Sequence, residues 1–339
     1  MSLLQNESLV IEKNCSDSNA NNLKTALHAS VIILIMTLIV LGNLMVLIVT
    51  FRQRSRPSVR VANMFIANLA VVDLSVAVLL FPFSVVTILL RRWAFGEALC
   101  QFNGATNMIA GAASILTMAV ISFDRYRAIV SPPGSKVTPK QAWVLLAVIW
   151  AWSITIGVLP VLGWNQYAHS SLNTMCKISF SEGRGYILLV IISCFVMPLL
   201  AMFYCYLRIF FKVRFHKKQV QRWSDSRQSQ KNFRRETKTA QVVFTVLFVF
   251  VVCWTPFVIV HFLQSLPTIS ISRVIFHSVT LVAGVHSVCN PIIYTTMNRA
   301  FRNELRQVCQ CVVCGRVKCC GGDNLVQPFS LETSFTQRS

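Results

Sequence analysis

The sequence predicts an all-α integral membrane protein built as a bundle of seven transmembrane helices. Of its 339 residues, 54% are hydrophobic and only 13% are charged, which is about half the charged share of a typical soluble domain. The apolar residues are gathered into seven runs of about 20 residues or more, the length that crosses the hydrocarbon core of a bilayer. A secreted disulfide scaffold is excluded because the 12 cysteines are spread over the whole chain.

The seven runs follow one another with short polar connections. Residues 1–25 form a polar tail that has none of the features of a cleavable signal peptide. Residues 26–296 form the membrane domain, and residues 297–339 form a second tail. The predicted spans cover residues 26–51, 60–89, 97–127, 141–163, 185–212, 238–265 and 271–296.

The basic residues indicate an orientation. All but seven of the 32 Lys and Arg residues lie in or beside the connections that follow spans one, three, five and seven. The positive-inside rule therefore places the N-terminus outside and the C-terminus in the cytoplasm. The net charge of +20 is then a cytoplasmic surface that faces anionic membrane lipids and acidic partners, and not a nucleic-acid-binding patch. The N-glycosylation motifs at Asn6 and Asn14 agree, because they fall in the tail predicted to be extracellular.

Polar residues inside the predicted spans are candidates for function, since they are costly to place in lipid. Asp73 lies in the middle of the second span. A buried carboxylate needs hydrogen-bond partners or a cation, so two interpretations stay open, a sodium site and a polar network around a protonated Asp73. The other polar residues are Asn43 in the first span, Ser114 in the third, and His286, Ser287 and Asn290 in the seventh.

The third span ends with Asp124, Arg125 and Tyr126. Arg125 requires an anion at this depth, and Glu236 opens the sixth span on the same predicted side of the membrane. A pair between Arg125 and Glu236 would join two helix ends and could act as the latch of a two-state switch. The alternative is a static ion pair that contributes little.

Prolines interrupt four of the later spans, at Pro160, Pro198, Pro256 and Pro291, and each predicts a kink. Trp254 lies two residues before Pro256, so it is either a lever beside a hinge or a packing residue only.

The cysteines divide by side of the membrane. Cys100 and Cys176 both fall on the predicted outer, oxidising side, which permits a disulfide between the third span and the loop after the fourth. Cys309 and Cys311 follow the seventh span on the reducing side, where they are typical of S-palmitoylation sites. A zinc knuckle is the competing interpretation of this cysteine cluster.

Taken together, these residues resemble the rhodopsin-like, class A G-protein-coupled receptors. The overall pattern is nearest to the amine receptor branch. The resemblance covers residues 25–311 and is carried by short motifs in each of the seven spans. In order, these are Gly42-Asn43; Asn68-Leu69-Ala70 with Asp73; Trp93, Phe95, Gly96 and Cys100; Asp124-Arg125-Tyr126; Trp150 and Pro160; Pro198 and Tyr206; Phe250, Cys253, Trp254 and Pro256; and Asn290-Pro291-Ile292-Ile293-Tyr294 with Phe301.

The resemblance implies a plasma-membrane receptor that is not an enzyme, with a short amphipathic helix after the seventh span. It implies a heterotrimeric G protein as partner, with arrestin and receptor kinases as further partners. Arg125 would bind the G-protein α subunit after release from Glu236, and Tyr206 and Tyr294 would move inward. Ile115, Pro198 and Phe250 would relay ligand contact to the sixth helix beside Trp254. The disulfide would join Cys100 to Cys176.

The resemblance also implies a sodium site and a ligand pocket. Asp73, Ser114, Ser287 and Asn290 match the sodium site, whereas His286 replaces the more usual asparagine. The pocket positions are Asn107, Met108, Gly111, Val190, Cys194, Trp254, Phe257, Val258, His261, Thr280 and Gly284.

The pocket residues predict the class of ligand by what they lack. Amine receptors carry an aspartate at the position of Asn107, and a neutral amide cannot replace that charge. Opsins carry their retinal-binding lysine at the position of Gly284, and the seventh span contains no lysine, so covalent retinal is excluded. The expected ligand is a non-amine small molecule or lipid-like compound. The alternatives are a constitutively active orphan receptor and a decoy or scaffold that does not couple to a G protein.

Overall fold

The computed structural model describes residues 2–52, 57–132, 135–169, 174–179, 184–220, 227–264 and 271–313. Its helices and strands are α1 (Ser2–Arg52), α2 (Pro57–Leu79), α3 (Phe81–Leu90), α4 (Gly96–Ile129), α5 (Pro139–Val158), β1 (Tyr167–Ala168), β2 (Lys177–Ile178), α6 (Arg184–Val190), α7 (Met197–Val220), α8 (Arg227–Gln264), α9 (Arg273–Met297) and α10 (Arg299–Val313). The two strands form an antiparallel hairpin that pairs Ala168 with Lys177.

Seven stretches of helix are long and apolar enough to cross a membrane, as the sequence predicts. They are Asn22–Arg52, Arg60–Leu90, Gly96–Ile129, Pro139–Trp164, Gly185–Phe215, Glu236–Val260 and Val274–Met297. The first helix continues without a break from Ser2 into the first span, although the polar composition of the tail predicts no helix there.

The prolines have two different effects on the spans. Pro160 begins a π-helical turn that ends the fourth span, and Gly163 follows in the left-handed region at a φ of 98°. Pro198 follows a π-helical segment, Ile191–Val196, because proline has no N–H and its ring displaces the carbonyl one turn earlier. Pro256 and Pro291 instead lie inside helices that continue past them.

Helix α4 lies at the centre of the bundle, where it contacts α2, α5, α7 and α8. Its buried residues include Ile115 and Met118, which pack in one cluster with Phe250 of α8 and Tyr294 of α9. Large apolar side chains on the outer faces of the helices remain exposed, for example Phe203 at 64% and Phe248 at 59%. Exposed apolar faces of this kind fit a bundle surrounded by lipid.

One end of the bundle, here called the disulfide end, carries the two paired β strands, which contact α4. Cys100, in the first turns of α4, is disulfide-bonded to Cys176, and their Cα atoms are 5.4 Å apart. The backbone N–H of Cys176 also donates to Oδ1 of Asn103 at 3.1 Å. The disulfide predicted from the sequence is thereby confirmed, and it holds the residues after Cys176 against α4.

The opposite end, here called the arginine end because it holds Arg125, carries the short helix α10. Phe301 of α10 is buried and lies 6.1 Å from Tyr294, measured between ring centroids. Arg302 donates to the carbonyl of Thr296 at 3.0 Å, at the end of α9. The predicted short helix after the seventh span is confirmed. The side chains of Cys309 and Cys311, like those of Asn6 and Asn14, lie outside the described residues.

The contact between α4 and the hairpin generates a stability prediction. A Cβ added at Gly104 would collide with the side chain of Tyr167, whereas one added at Gly111 of the same helix meets nothing within 4 Å. We expect Gly104→Ala to destabilise the protein by about 1–3 kcal/mol through overpacking. Gly111→Ala serves as the matched control and should be neutral or slightly stabilising. Thermal unfolding of the purified variants measures both, and equal midpoints would contradict the predicted collision.

Candidate functional site

The arginine end is organised around the Arg125 guanidinium, which is buried with only 3% of the residue exposed. Nε of Arg125 donates to Asp124 Oδ2 at 3.1 Å, and one terminal nitrogen also bonds this carboxylate. Nη1 of Arg125 donates to Glu236 Oε2 at 2.9 Å. The predicted contact between the third and sixth spans is therefore present, with two carboxylates around one buried cation. Removing one partner of such a buried arrangement is costly, because it leaves a charge without compensation.

A second cation shares the carboxylate of Glu236. Lys136, in the connection before α5, donates to Glu236 Oε1 at 2.7 Å. The Glu236 side chain is 17% exposed and that of Lys136 is 46% exposed. From the sequence, Lys136 is only one of the basic residues on this side, since nothing in a loop lysine indicates its partner 100 residues away.

Tyr126 follows Arg125 directly on α4, and Tyr204 and Tyr206 lie on the neighbouring helix α7. The ring of Tyr126 lies 6.0 Å from that of Tyr204, and the ring of Tyr206 packs edge-on against Phe244 at 5.2 Å. The buried hydroxyl of Tyr206 has no hydrogen-bond partner within the described ranges. Tyr294 is buried in the core cluster with Ile115 and Phe250.

The middle of the bundle holds Asp73, which is 1% exposed. Its Oδ1 accepts a hydrogen bond from Ser287 at 2.6 Å, and its Oδ2 accepts one from Asn290 Nδ2 at 2.9 Å. Asn43 extends the network by donating to the carbonyl of Ser287 at 3.3 Å. Ser114 is buried nearby on α4, but no hydrogen bond among the described residues joins it to Asp73. The first, second and seventh spans are thus connected through polar residues that the sequence indicates as candidates for function.

His286 connects this network to Trp254. The indole Nε1 of Trp254 lies 3.2 Å from His286 Nδ1, and His286 Nε2 lies 3.2 Å from Ser287 Oγ. In the Nε2–H tautomer, hydrogen bonds run in one direction from Trp254 through His286 and Ser287 to Asp73. The carbonyl of Ala283 lies 2.5 Å from the same Nδ1, so the other tautomer bonds to the backbone and releases Trp254.

An aromatic cluster surrounds Trp254. Its ring stacks on Phe250 at 5.5 Å between centroids and meets Phe257 edge-on at 5.3 Å. His286 completes the cluster, 5.3 Å from Phe250. Of the predicted relay residues, Ile115 and Phe250 share one core cluster, and buried Pro198 lies next to Leu199, which packs against that cluster. A displacement of Trp254 would therefore change its contacts both with the hydrogen-bond network of Asp73 and with the core cluster.

The predicted pocket residues lie toward the disulfide end but do not all line one cavity. Met108, Val190 and Cys194 pack into an apolar cluster with Tyr186. Thr280 and Gly284 line a cavity between α1, α3 and α9, where Phe81 also lies. The remaining positions differ in exposure: Asn107, Gly111 and Phe257 are half-buried, Val258 is 41% exposed, and the side chain of His261 lies outside the described residues.

Lys177 lies among these pocket elements, although nothing in the sequence distinguishes it from other lysines. Strand β2 places it directly after the disulfide, and its Nζ lies 4.6 Å from the ring centroid of Phe257 and 4.8 Å from that of Phe276. Burial lowers the pKa of the Lys177 ammonium to about 7, because desolvation disfavours the charged form. Each cation–π contact stabilises the ammonium by about 0.5–2 kcal/mol.

Comparison with known proteins agrees with this architecture. Residues 42–294 match the family model described as 7 transmembrane receptor (rhodopsin family). The chain is 29% identical to a rhodopsin of Enteroctopus dofleini over 79% of its length and 61% of the relative's length. It is 32% identical to the human histamine H2 receptor, over 89% of this chain and 84% of that receptor. The crystal structure of squid rhodopsin superposes with a TM-score of 0.77 at 27% identity, covering 88% of this chain and 89% of that one.

The fold and the comparisons define a multi-pass membrane receptor. The chain belongs to the rhodopsin family of seven-transmembrane receptors, and as a member of that family it is a receptor and not an enzyme. It spans about three fifths of the length of some curated relatives, including the octopus rhodopsin and the melanopsin of Felis catus, at 61% and 60%.

Proposed function

We propose that this protein is a G-protein-coupled receptor of the plasma membrane, with its N-terminus outside. The observation that carries the proposal is the buried Arg125 held between Asp124 and Glu236 at the inner end of α4. The Cys100–Cys176 disulfide supports an extracellular position for the opposite end, because disulfides persist in oxidising compartments. The concentration of basic residues near the arginine end supports a cytoplasmic position for that end.

In the proposed mechanism, a ligand bound at the disulfide end displaces Trp254. The displacement weakens the hydrogen bond to His286 and repacks Phe250 within the core cluster. Helix α8 then moves away from α4, Glu236 leaves Arg125, and the guanidinium becomes available to the C-terminal helix of a G-protein α subunit. Tyr206 and Tyr294 turn inward to support this open form, and nucleotide exchange takes place on the G protein. Ligand binding and exchange are thus linked through a two-state equilibrium.

The proposed ligand is a non-amine small molecule or lipid-like compound. Asn107 offers an amide where a cationic ligand would need a carboxylate, and Lys177 at the disulfide end supplies no counter-charge to such a ligand. One similar protein carries the name of an amine, the histamine H2 receptor, but at 32% identity the ligand can differ while the fold is kept.

Neither retinal nor sodium enters the proposed mechanism. Similar proteins are named rhodopsins, but α9 has no lysine to form a Schiff base and Gly284 offers no side chain. Each carboxylate oxygen of Asp73 accepts one hydrogen bond, from Ser287 or from Asn290, and keeps a further lone pair. Asp73 and the Ser287 hydroxyl are therefore the oxygen ligands that would hold a sodium ion, although no step of the mechanism passes through it.

Two alternative functions from the sequence analysis are disfavoured. A decoy or scaffold receptor does not need an intact Arg125 to function. A constitutively active receptor is disfavoured because the Arg125–Glu236 pair stabilises the closed form. The proposal also includes glycosylation at Asn6 and Asn14, palmitoylation at Cys309 and Cys311, and recruitment of receptor kinases and arrestin by the C-terminal tail.

The ion-pair cluster predicts a graded effect on basal signalling. Glu236→Ala should raise basal nucleotide exchange roughly tenfold, because a charge-assisted hydrogen bond contributes about 1.5–3 kcal/mol to the closed state. Lys136→Ala should raise it only about twofold, since the lysine is partly exposed. Exchange measured on a panel of G proteins at matched surface expression gives both values. An unchanged or lower basal signal in Glu236→Ala would contradict the latch.

Arg125→Ala should abolish ligand-dependent and basal exchange while the receptor still reaches the cell surface, because it removes the group proposed to bind the G protein. The matched control is Arg127→Ala on the same helix; Arg127 instead donates to the carbonyl of Ser135 at 2.5 Å. Undiminished exchange in Arg125→Ala would refute the proposed coupling.

The neutral pocket predicts a change of selectivity. Asn107→Asp should allow cationic amines to stabilise the purified receptor, because the new carboxylate supplies the missing counter-charge. Histamine and tryptamine are the two amines to be used as probes. Thermal stabilisation by each amine, compared with Asn107→Leu as control, measures this. If both amines stay inert, the shape of the cavity and not the missing charge excludes them.

A further inference from the structure

The cavity between α1, α3 and α9 lies toward the disulfide end and is lined mostly by apolar side chains. The apolar residues that line it are Ile32, Ile35, Phe81, Met175 and Leu281. The space among the lining atoms is about 300 Å³ and is partly open, which is at the lower end of the range for ligand sites in proteins. The cavity therefore has room for one end of a lipid-like molecule and not for the whole of it.

A buried hydroxyl in the wall of this cavity has no hydrogen-bond partner in the part of the chain that the structure describes. Ser84 of α3 is 1% exposed and lines the cavity, and its Oγ is among the buried polar atoms that remain without a partner. Leaving a hydroxyl buried in this way destabilises a protein unless something else bonds it. A polar atom of a bound molecule would supply the missing hydrogen bond.

The other polar groups of the cavity restrict what that molecule can be. Thr280 of α9 donates its hydroxyl hydrogen to the carbonyl of Phe276 at 2.9 Å, so towards a ligand its oxygen can only accept. The Ser84 hydroxyl can both donate and accept. None of the nine residues described as lining the cavity is ionisable, so a charged end group would lose its hydration there without compensation. A neutral group that both donates and accepts satisfies Ser84 and Thr280 together.

We propose that this cavity binds the hydroxyl end of a neutral, lipid-like alcohol, with Ser84 as its polar anchor and Thr280 as a second acceptor. The apolar chain of the alcohol lies against Ile32, Phe81 and Leu281 and leaves through the open side. The inference deepens the proposed function and rests on it, because it gives the ligand of the disulfide end a chemical class and a place between α1, α3 and α9.

Binding in this cavity acts on the helix that holds Trp254 in place. Gly284, which lines the cavity, directly follows Ala283 on α9. The carbonyl of Ala283 lies 2.5 Å from Nδ1 of His286, and the same Nδ1 lies 3.2 Å from the indole nitrogen of Trp254. An alcohol that shifts this turn of α9 therefore changes the contact between His286 and Trp254.

The experiment compares four probes that share one apolar chain, using the full-length receptor in lipid nanodiscs. The probes are 1-decanol, which donates and accepts; decyl methyl ether, which only accepts; and the charged decanoate and decylamine. The readouts are thermal stabilisation, which reports binding alone, and nucleotide exchange on a G-protein panel.

Two variants alter the cavity and one serves as the matched control. Ser84→Ala removes the anchor. Gly284→Leu fills the space, since a Cβ added at Gly284 meets Phe81 at an ordinary contact distance of 3.4 Å. The control is Ser153→Ala, because Ser153 is also a buried hydroxyl without a partner among the described residues but lies on α5, away from the cavity.

We expect 1-decanol to stabilise the receptor more than the other three probes do. Ser84→Ala should weaken its apparent affinity by roughly threefold to tenfold, as expected for loss of one neutral hydrogen bond. Gly284→Leu should abolish the stabilisation, and Ser153→Ala should keep it. Without probe, both serine variants should unfold at a higher temperature than the parent, because each loses an unsatisfied buried hydroxyl. A loss of binding in Ser84→Ala then cannot come from misfolding.

Three outcomes would overturn the inference. These are equal stabilisation by the alcohol and its methyl ether, an unchanged affinity for 1-decanol in Ser84→Ala, and no saturable response to 1-decanol in the parent receptor. If Glu236→Ala raises exchange while 1-decanol does not bind, the ligand class is wrong and the signalling function stands. If 1-decanol binds through Ser84 while neither it nor Glu236→Ala promotes exchange, the site stands and the signalling function is wrong.

Discussion

The structure depends on the cost of burying one guanidinium. Arg125 is 3% exposed at the arginine end of the bundle, and a charge so placed is stable only while anions surround it. Asp124 belongs to the same helix and is always present, but Glu236 belongs to α8 and can leave. Closure of the bundle at this end is therefore a problem of charge compensation, and in the proposed mechanism a G-protein segment binds Arg125 in place of Glu236. Lys136 adds a second cation that the same carboxylate satisfies.

The rest of the bundle links that closure to the opposite end. Ring contacts and hydrogen bonds pass from Phe257 to Trp254, then to His286, and from there through Ser287 to Asp73. No step is a long-range effect, since each joins groups in contact. The imidazole is the unusual member of this path, because its two tautomers either bond to Trp254 or bond to the backbone. A small displacement at the disulfide end can thus be converted into a choice between two discrete arrangements.

Much of the fold and of the candidate site could be predicted from the sequence. The contacts that could not be predicted join residues that are far apart along the chain. The spans follow from composition, because lipid permits little besides uninterrupted helix. The Arg125–Glu236 pair follows from the need of a buried cation for an anion. The contacts of Lys136 and Lys177 could not be predicted, since both residues lie between spans and meet their partners only after the helices assemble. Likewise, nothing in the sequence shows that Val190, a predicted pocket residue, packs into an apolar cluster with Tyr186 and Cys194.

The most direct measurement of the central claim is the distance between the arginine ends of α4 and α8. Pulsed electron paramagnetic resonance between spin labels attached near these ends gives the distribution of that distance in the full receptor. The account predicts one short distance for the receptor alone and a second, longer population when nucleotide-free G protein is bound. An unchanged single distance in the presence of a bound G protein would contradict it, because Arg125 would then remain paired with Glu236 during coupling.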